Sequence, residues 1–398
     1  MSVGVATSGQ RVRRDVQGLR ALAVVAVVGY HYHFWPFTNG YAGVDIFFVI
    51  SGFVITRLLW SERDGIGSNS LVAFYARRLR RIVPAATLTI VGTIIGAWML
   101  VGAASALSTA HDALAAMFFY ANVHFAQQAT NYLSANQPQS PLVHFWSLSI
   151  EEQYYFVWPS LFIGLVALGR RHRRTVVLVA LAVVAIAAVV YSVHATAENQ
   201  NAAYYSSFIR AGELALGALV ATAEPLARRI APALRSVVGW SGLAAAIASV
   251  TAWGSITSFP GAWVLLPTLG TAAVIVAGVD ARRFDASNVA GWGPLVWLGG
   301  LSYSLYLWHW PIYDLVALRL GHAPSLASRF GLLMVALVLA LLSYYLVESP
   351  LRRATTLRAR PMRTVLVGGA FVVASLTTAV TVMAATTGEV LAAPTPLT

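Results

Sequence analysis

Apolar runs of roughly helix-spanning length, separated by short polar stretches, repeat along almost the whole chain. They predict membrane helices at about 20–36, 42–60, 83–103, 145–168, 175–193, 206–223, 237–254, 261–279, 295–316, 330–347 and 364–385. Each run is long enough to cross or nearly cross a bilayer, where every backbone polar group must be satisfied within the segment. The expected class is therefore all-α, a polytopic bundle of 10–11 transmembrane helices. The apolar stretch 111–126 (HDALAAMFFYANVHFA) stands apart as a re-entrant or interfacial segment shielded from lipid by its neighbours. There is no internal repeat.

Charge sets the orientation. The chain of 398 residues is 58% hydrophobic and 11% charged, and its 27 basic residues are all arginine, gathered in short clusters. RVRR (11–14), RRLRR (77–81), RRHRR (170–174), Arg228, Arg229, Arg235, Arg282, Arg283 and the cluster at 352–363 share one side if 111–126 does not cross. Arg210, Arg319 and Arg329 fall elsewhere. Basic loops stay in the cytoplasm, so the chain is expected in the cytoplasmic (inner or plasma) membrane with its N-terminus inside. The first helix then acts as an uncleaved signal anchor. The loop 127–144 and the tail 386–398 are expected outside the cytoplasm. Clustered arginines of this kind mark topology and lipid contact, and argue against nucleic acid as a partner. The absence of cysteine rules out disulfides, thiolate metal sites and an acyl-cysteine intermediate, and no metal site is expected.

Within this frame a few polar residues stand out. Arg20 and His31 are eleven positions apart on the first helix, which puts them on one face about 16 Å apart. An ionisable side chain within a bilayer is costly and marks a functional site by default. Asp45 lies at a similar depth on the antiparallel second helix, where it can hold the His31 imidazole in one tautomer. The alternative is a plain polar pair inside a packed bundle. Glu151, Glu152 and Gln153 form a second cluster two turns into an inward-running helix. Neighbours on a helix diverge by about 100°, so at most one of the two glutamates is expected to face the same centre directly. Arg210 and Glu213 are one turn apart and suit either an ion pair that fixes packing or a substrate contact. Tyr303, Tyr306 and His309 lie in an aromatic stretch that suits interface anchoring or a pocket lining. Arg78 and Arg81, at i and i+3, share a helix face away from Arg77 and Arg80. Paired guanidinium groups suit a phosphate, and equally a topology anchor.

At these residues the sequence resembles the acyltransferase-3 family of multi-span O-acyltransferases. DVQGLRALAVVAVVGYH is similar to that family's opening Arg-x10-His helix, GYAGVDIFFVISGFVITRLL to its second helix, and FYARRLRRIVP to its Arg-x-x-Arg element. FWSLSIEEQYYFVWP and LSYSLYLWHWP are similar to two later signatures. The resemblance implies Arg20 and His31 as an essential pair and brings in Asp45, Ser51 and Gly52. It also implies Arg78 and Arg81 as ligands of acyl-CoA phosphates, and Glu151 as the carried-over carboxylate. The implied activity moves an acyl group, acetyl, succinyl or longer, from cytoplasmic acyl-CoA to a hydroxyl of an envelope polysaccharide, glycolipid or lipid-linked saccharide. No cofactor is bound permanently. Residues 1–385 would form the membrane acyltransferase domain. Residues 386–398 would begin a linker, because the subgroup most similar to this chain carries an extracytoplasmic SGNH-type domain after an eleventh helix; a stand-alone form is the alternative.

The reading that follows has His31 as general base, with Asp45 or Glu151 stabilising the imidazolium. Arg20, Arg78 and Arg81 hold the donor. Ser51, Glu152, Arg210, Glu213, Tyr303 and His309 serve the substrates, although Ser51 beside a glycine also suits close helix packing. Direct transfer and a covalent acyl relay both remain open. A lipid-linked sugar flippase or polysaccharide exporter, and a membrane sensor, are the competing classes.

Overall fold

The computed structural model describes residues 13–66, 71–131, 139–251 and 258–392. Among these there is no strand. Each expected span corresponds to a helix. In chain order, α1 is Arg14–His31, α2 Gly43–Ile66, α3 Leu71–Leu100, α4 Ala103–Met117 and α5 Ala121–Thr130. They are followed by α6 Phe145–Gly169, α7 Arg173–Glu198, α8 Ser207–Thr222 and α9 Pro232–Thr251. The last four are α10 Leu265–Ala277, α11 Gly293–Leu320, α12 Leu326–Leu342 and α13 Pro361–Ala392. The last helix runs past residue 385 to Ala392, and residues 393–398 lie outside the described set. The same holds for Arg11 and for positions 132–138 of the loop 127–144.

Among the described residues, six stretches are long and apolar enough to cross a membrane by length and composition: Gly40–Arg63, Leu71–Leu100, Phe145–Glu198, Pro232–Thr251, Leu326–Arg353 and Pro361–Thr386. The other helices at expected spans are shorter or more polar, and burial explains why. α1 and α11 carry arginine, histidine, serine and tyrosine yet bury most of their surface against other helices. A helix in the interior of a bundle answers to its protein neighbours rather than to lipid. α2 likewise buries 78% of its apolar window, against 17% for the stretch that contains α12. The bundle thus has an inner group, α1, α2, α8 and α11, and an outer group that includes α7, α12 and α13.

The arginine clusters converge on one end. Arg13 donates to the Ile275 carbonyl at the end of α10, Arg14 to Gly291, Arg80 to Leu357 and Thr364, and Arg174 to Thr222. Arg57 pairs with Glu224 and Arg77 with Glu62. The stretch expected to be re-entrant forms α4 and α5, which meet at Phe118–Tyr120. Gln153 Nε2, about two turns into α6, donates to the Phe119 carbonyl and to Asn122, while Asn122 donates to Tyr205 and Ser207. His124 and Gln128 of α5 both reach Asp112 of α4, at 2.7 and 3.2 Å. These bonds hold a hairpin that enters the bundle from the end opposite the arginines and turns back part-way down.

Two glycines set a close approach between α2 and α8. A Cβ on Gly52 would strike the Leu214 carbonyl, and one on Gly217 would strike the Val49 carbonyl. α2 and α8 therefore meet backbone to backbone, as small residues permit between membrane helices. This contact leaves Ser51, next to Gly52, turned toward α6.

Candidate active site

Five helices build one column of polar side chains. On α6, His144 at its N-cap, Ser147 and Glu151 recur at three- and four-residue steps, which stacks them on one face. On α11 the same spacing stacks Ser302, Tyr306 and His309. α1 contributes Arg20 and His31, α2 contributes Ser51, and α3 adds Arg78 and Arg81 from the arginine-rich end.

The lower part of the column is a cavity with about 770 Å³ of empty space, the open solvent at its mouth included. Arg20, Arg78 and Arg81 line it together with Ser51, Glu151, Glu152, Tyr155, Tyr303 and Tyr306. Among the described residues, none of the three arginines has a carboxylate within 4.0 Å. Arg78 lies over the Tyr155 ring at 4.9 Å and the Phe74 ring at 5.6 Å. Arg77 and Arg80, by contrast, are engaged with Glu62 and with Leu357 and Thr364, away from this space. Three guanidinium groups with no ion pair within 4.0 Å share this cavity with Glu151 and Glu152, and suit an anion with several oxygens.

Glu151 accepts from Ser51 Oγ at 2.5 Å and from the Tyr155 hydroxyl. Glu152 also lines the cavity, whose extent includes its open mouth. α6 borders the cavity along its side, so two positions about 100° apart both reach its wall. The Tyr303 hydroxyl donates to the Ile82 carbonyl at 2.8 Å and ties α11 to α3.

Above the cavity, the Tyr306 hydroxyl meets Ser147 Oγ at 2.6 Å and the His144 carbonyl at 3.0 Å. The next layer holds the histidines. His31 Nδ1 is 2.9 Å from His309 Nε2, and His309 Nδ1 is 2.6 Å from the Tyr306 carbonyl. A carbonyl only accepts, so His309 Nδ1 carries a hydrogen. With His309 neutral, its Nε2 accepts from His31 Nδ1–H, and the lone pair of His31 Nε2 is left available as a base.

The expected Asp45–His31 pair does not form. Asp45 accepts from Arg210 at 2.6 Å, and Glu213 accepts from the same nitrogen at 2.6 Å. Arg210 also donates to the Tyr204 carbonyl and lies against the rings of Trp146, Tyr204 and Phe259. A buried guanidinium needs carboxylates more than a neutral imidazole does, so α8 takes Asp45 and His31 turns to α11. Asp45, Arg210 and Glu213 are therefore a separate ion cluster that lines no part of the cavity. Sequence spacing missed His144, one residue outside the expected span. It also missed Ser147 and Tyr155. Extending the 144–147–151 spacing of α6 upward from Glu151 is the signal that reaches the first two.

A family model described as an acyltransferase domain matches residues 13–348. The chain belongs to the acyltransferase-3 family. The match covers all five helices of the column and the cavity they enclose. Among curated relatives of this acyltransferase-3 chain, it is 30% identical over 358 residues to a putative peptidoglycan O-acetyltransferase of Bacillus subtilis, YrhL, covering 87% of this chain and 56% of that protein. It is 28% identical over 350 residues to the peptidoglycan O-acetyltransferase OatA of Listeria monocytogenes, covering 85% of this chain and 56% of that protein. A putative O-acetyltransferase of Staphylococcus aureus is 29% identical over 356 residues, covering 86% and 58%. The chain spans about half the length of the curated relatives it matches. No solved structure matches it.

Proposed function

We propose that this chain transfers an acyl group from acyl-CoA to a hydroxyl of an envelope polysaccharide. The observation that carries this reading is the cavity lined by three arginines that form no ion pair among the described residues, stacked beneath a histidine pair whose base nitrogen is free. The phosphates of acyl-CoA enter at the arginine-rich end, on the cytoplasmic side by the positive-inside rule, and meet Arg78, Arg81 and Arg20. The acyl arm points up the column toward Tyr306 and Ser147. These two side chains close the cavity below the histidines, so the thioester reaches His31 when their hydrogen bond opens.

His31 Nε2 then takes the proton of the acceptor hydroxyl as its oxygen attacks the thioester carbonyl. The carbon–sulfur bond breaks, and the CoA sulfur leaves with the proton from His31. His309 accepts from His31 Nδ1 throughout and holds the tautomer that the reaction needs. Glu151 orients Ser51 at the cavity wall, and Asp45 has no part in the chemistry. Acetyl is the acyl group we favour, from the names of the relatives. The exporter reading has no observation in its favour.

The test is transfer of radiolabel from a panel of acyl-CoAs to purified peptidoglycan fragments, with wild type against His31→Ala. Label on the glycan with wild type alone supports the reading. Equal labelling by both proteins overturns the role of His31, and no labelling from any acyl-CoA overturns the donor.

A further inference from the structure

His144 is a buried histidine that the mechanism above leaves unused. It is 2% exposed, and among the described residues neither ring nitrogen has a hydrogen-bond partner. The Leu307 carbonyl is the backbone group that faces it, without a hydrogen bond of ordinary geometry. Its ring stands edge-on to His309, with centroids 5.7 Å apart, and 5.7 Å from the Tyr306 ring. The His31 and His309 ring centroids are 5.1 Å apart with their planes 23° from parallel, the arrangement of two rings joined edge to edge by the 2.9 Å hydrogen bond. His309 is thus flanked by two imidazoles, each with a nitrogen to offer.

The needs of the reaction and the free groups correspond. Attack on the thioester requires a base for the acceptor proton and a donor for the carbonyl oxygen, which becomes negative. The base is His31 Nε2. His309 cannot be the donor, because the Tyr306 carbonyl and His31 occupy both of its nitrogens. The Tyr32 hydroxyl donates to the His309 carbonyl, the Tyr306 hydroxyl to the His144 carbonyl, the Ser147 hydroxyl reaches that same carbonyl at 3.4 Å when it parts from Tyr306, and Trp310 Nε1 donates to the Ser140 carbonyl. A neutral imidazole has one N–H and one lone pair. In His144 both are buried and unmatched, which costs stability unless something that visits the site matches them.

We propose that His144 donates the hydrogen bond that stabilises the acyl carbonyl oxygen as it becomes negative. The inference rests on the acyl-transfer reading above and adds the oxyanion donor to it. No bond to His144 forms or breaks and no proton passes through it. The acceptor proton travels from the hydroxyl to His31 Nε2 and on to the CoA sulfur. His144 sits one turn above Ser147 on the same face of α6, so the opening that admits the thioester to His31 also brings its carbonyl beside His144.

The experiment compares His144→Leu, His144→Asn and His144→Gln with wild type in the acyl transfer assay, and follows kcat and KM for acyl-CoA against pH. Losing one such donor lowers kcat by about 10²–10³-fold, with KM for acyl-CoA little changed. Asn or Gln, whose amide N–H replaces the donor, recovers at least tenfold of that loss, and the pH dependence keeps its wild-type form. His144→Leu at wild-type kcat overturns the proposal, as does a folded Gln or Asn variant no better than Leu. A displaced pH limb also overturns it, because it marks a proton carrier instead. If His144→Leu does not fold, the infrared carbonyl stretch of ¹³C-labelled acyl-CoA bound to the His31→Ala protein supplies the readout with His144 intact. A lowered stretch supports the donor and an unshifted one overturns it. A wild type that transfers nothing overturns the acyl-transfer reading and this one with it. An active wild type matched by His144→Leu overturns this one alone.

Discussion

Replacing His309 by phenylalanine tests whether the histidine pair works as the hydrogen bonds indicate. The substitution keeps a flat ring at a fully buried position and removes Nε2, the atom 2.9 Å from His31 Nδ1. Once His31 has taken the acceptor proton, its Nδ1–H is a charged donor without a partner. A hydrogen bond to a charged group contributes about 1.5–3 kcal/mol. At about 1.4 kcal/mol per factor of ten, kcat falls roughly 10- to 150-fold. KM for acyl-CoA stays near wild type, because His309 does not line the arginine cavity. His309→Gln, whose amide oxygen accepts from Nδ1–H, retains most of the rate. The assay is steady-state transfer of labelled acyl groups, with thermal melting in detergent as the control for a buried substitution that adds volume. A folded His309→Phe protein with wild-type kcat, or one whose defect lies wholly in KM, would refute the assignment of His31 Nε2 as the base held by His309.

Three further outcomes follow from the same geometry. Arg78→Gln and Arg81→Gln each raise KM for acyl-CoA by about tenfold or more, as expected for a lost charge-assisted hydrogen bond, whereas Arg77→Gln, whose guanidinium is occupied by Glu62, changes it little; steady-state kinetics on the three variants check this. Arg210→Met strands two carboxylates whose side chains are 1% and 4% exposed, which costs about 3–5 kcal/mol of stability. Adding Asp45→Asn and Glu213→Gln recovers part of the loss in melting temperature. Because the chain has no cysteine, Gln139→Cys and Arg171→Cys place single thiols at the two ends of the bundle, both exposed. A membrane-impermeant thiol reagent on intact cells labels the first and spares the second if the arginine-rich end faces the cytoplasm.

Periodicity and charge alone carried the architecture. Apolar runs near the bilayer's thickness left no alternative to a helix bundle, since lipid tolerates no unsatisfied backbone. The arginine clusters, read together, required that 111–126 not cross, and the α4–α5 hairpin is how the chain complies. Spacing also put Arg78 and Arg81 on one face and separated them from Arg77 and Arg80, because 3.6 residues per turn is a local property. Partner choice was different. Asp45 lies at the right depth for His31, but whether it pairs there depends on which helix packs beside α2. The glycines that let α8 approach α2 bring Arg210 to it. His309 became the partner of His31 through contact between α1 and α11, nearly 280 positions apart in the chain. His144 gained its place where the start of α6 meets Tyr306 and His309 of α11. Local sequence determines which face of a helix a side chain occupies. Which helix that face meets is decided by packing across the whole bundle, and the chemistry of this site depends on that choice.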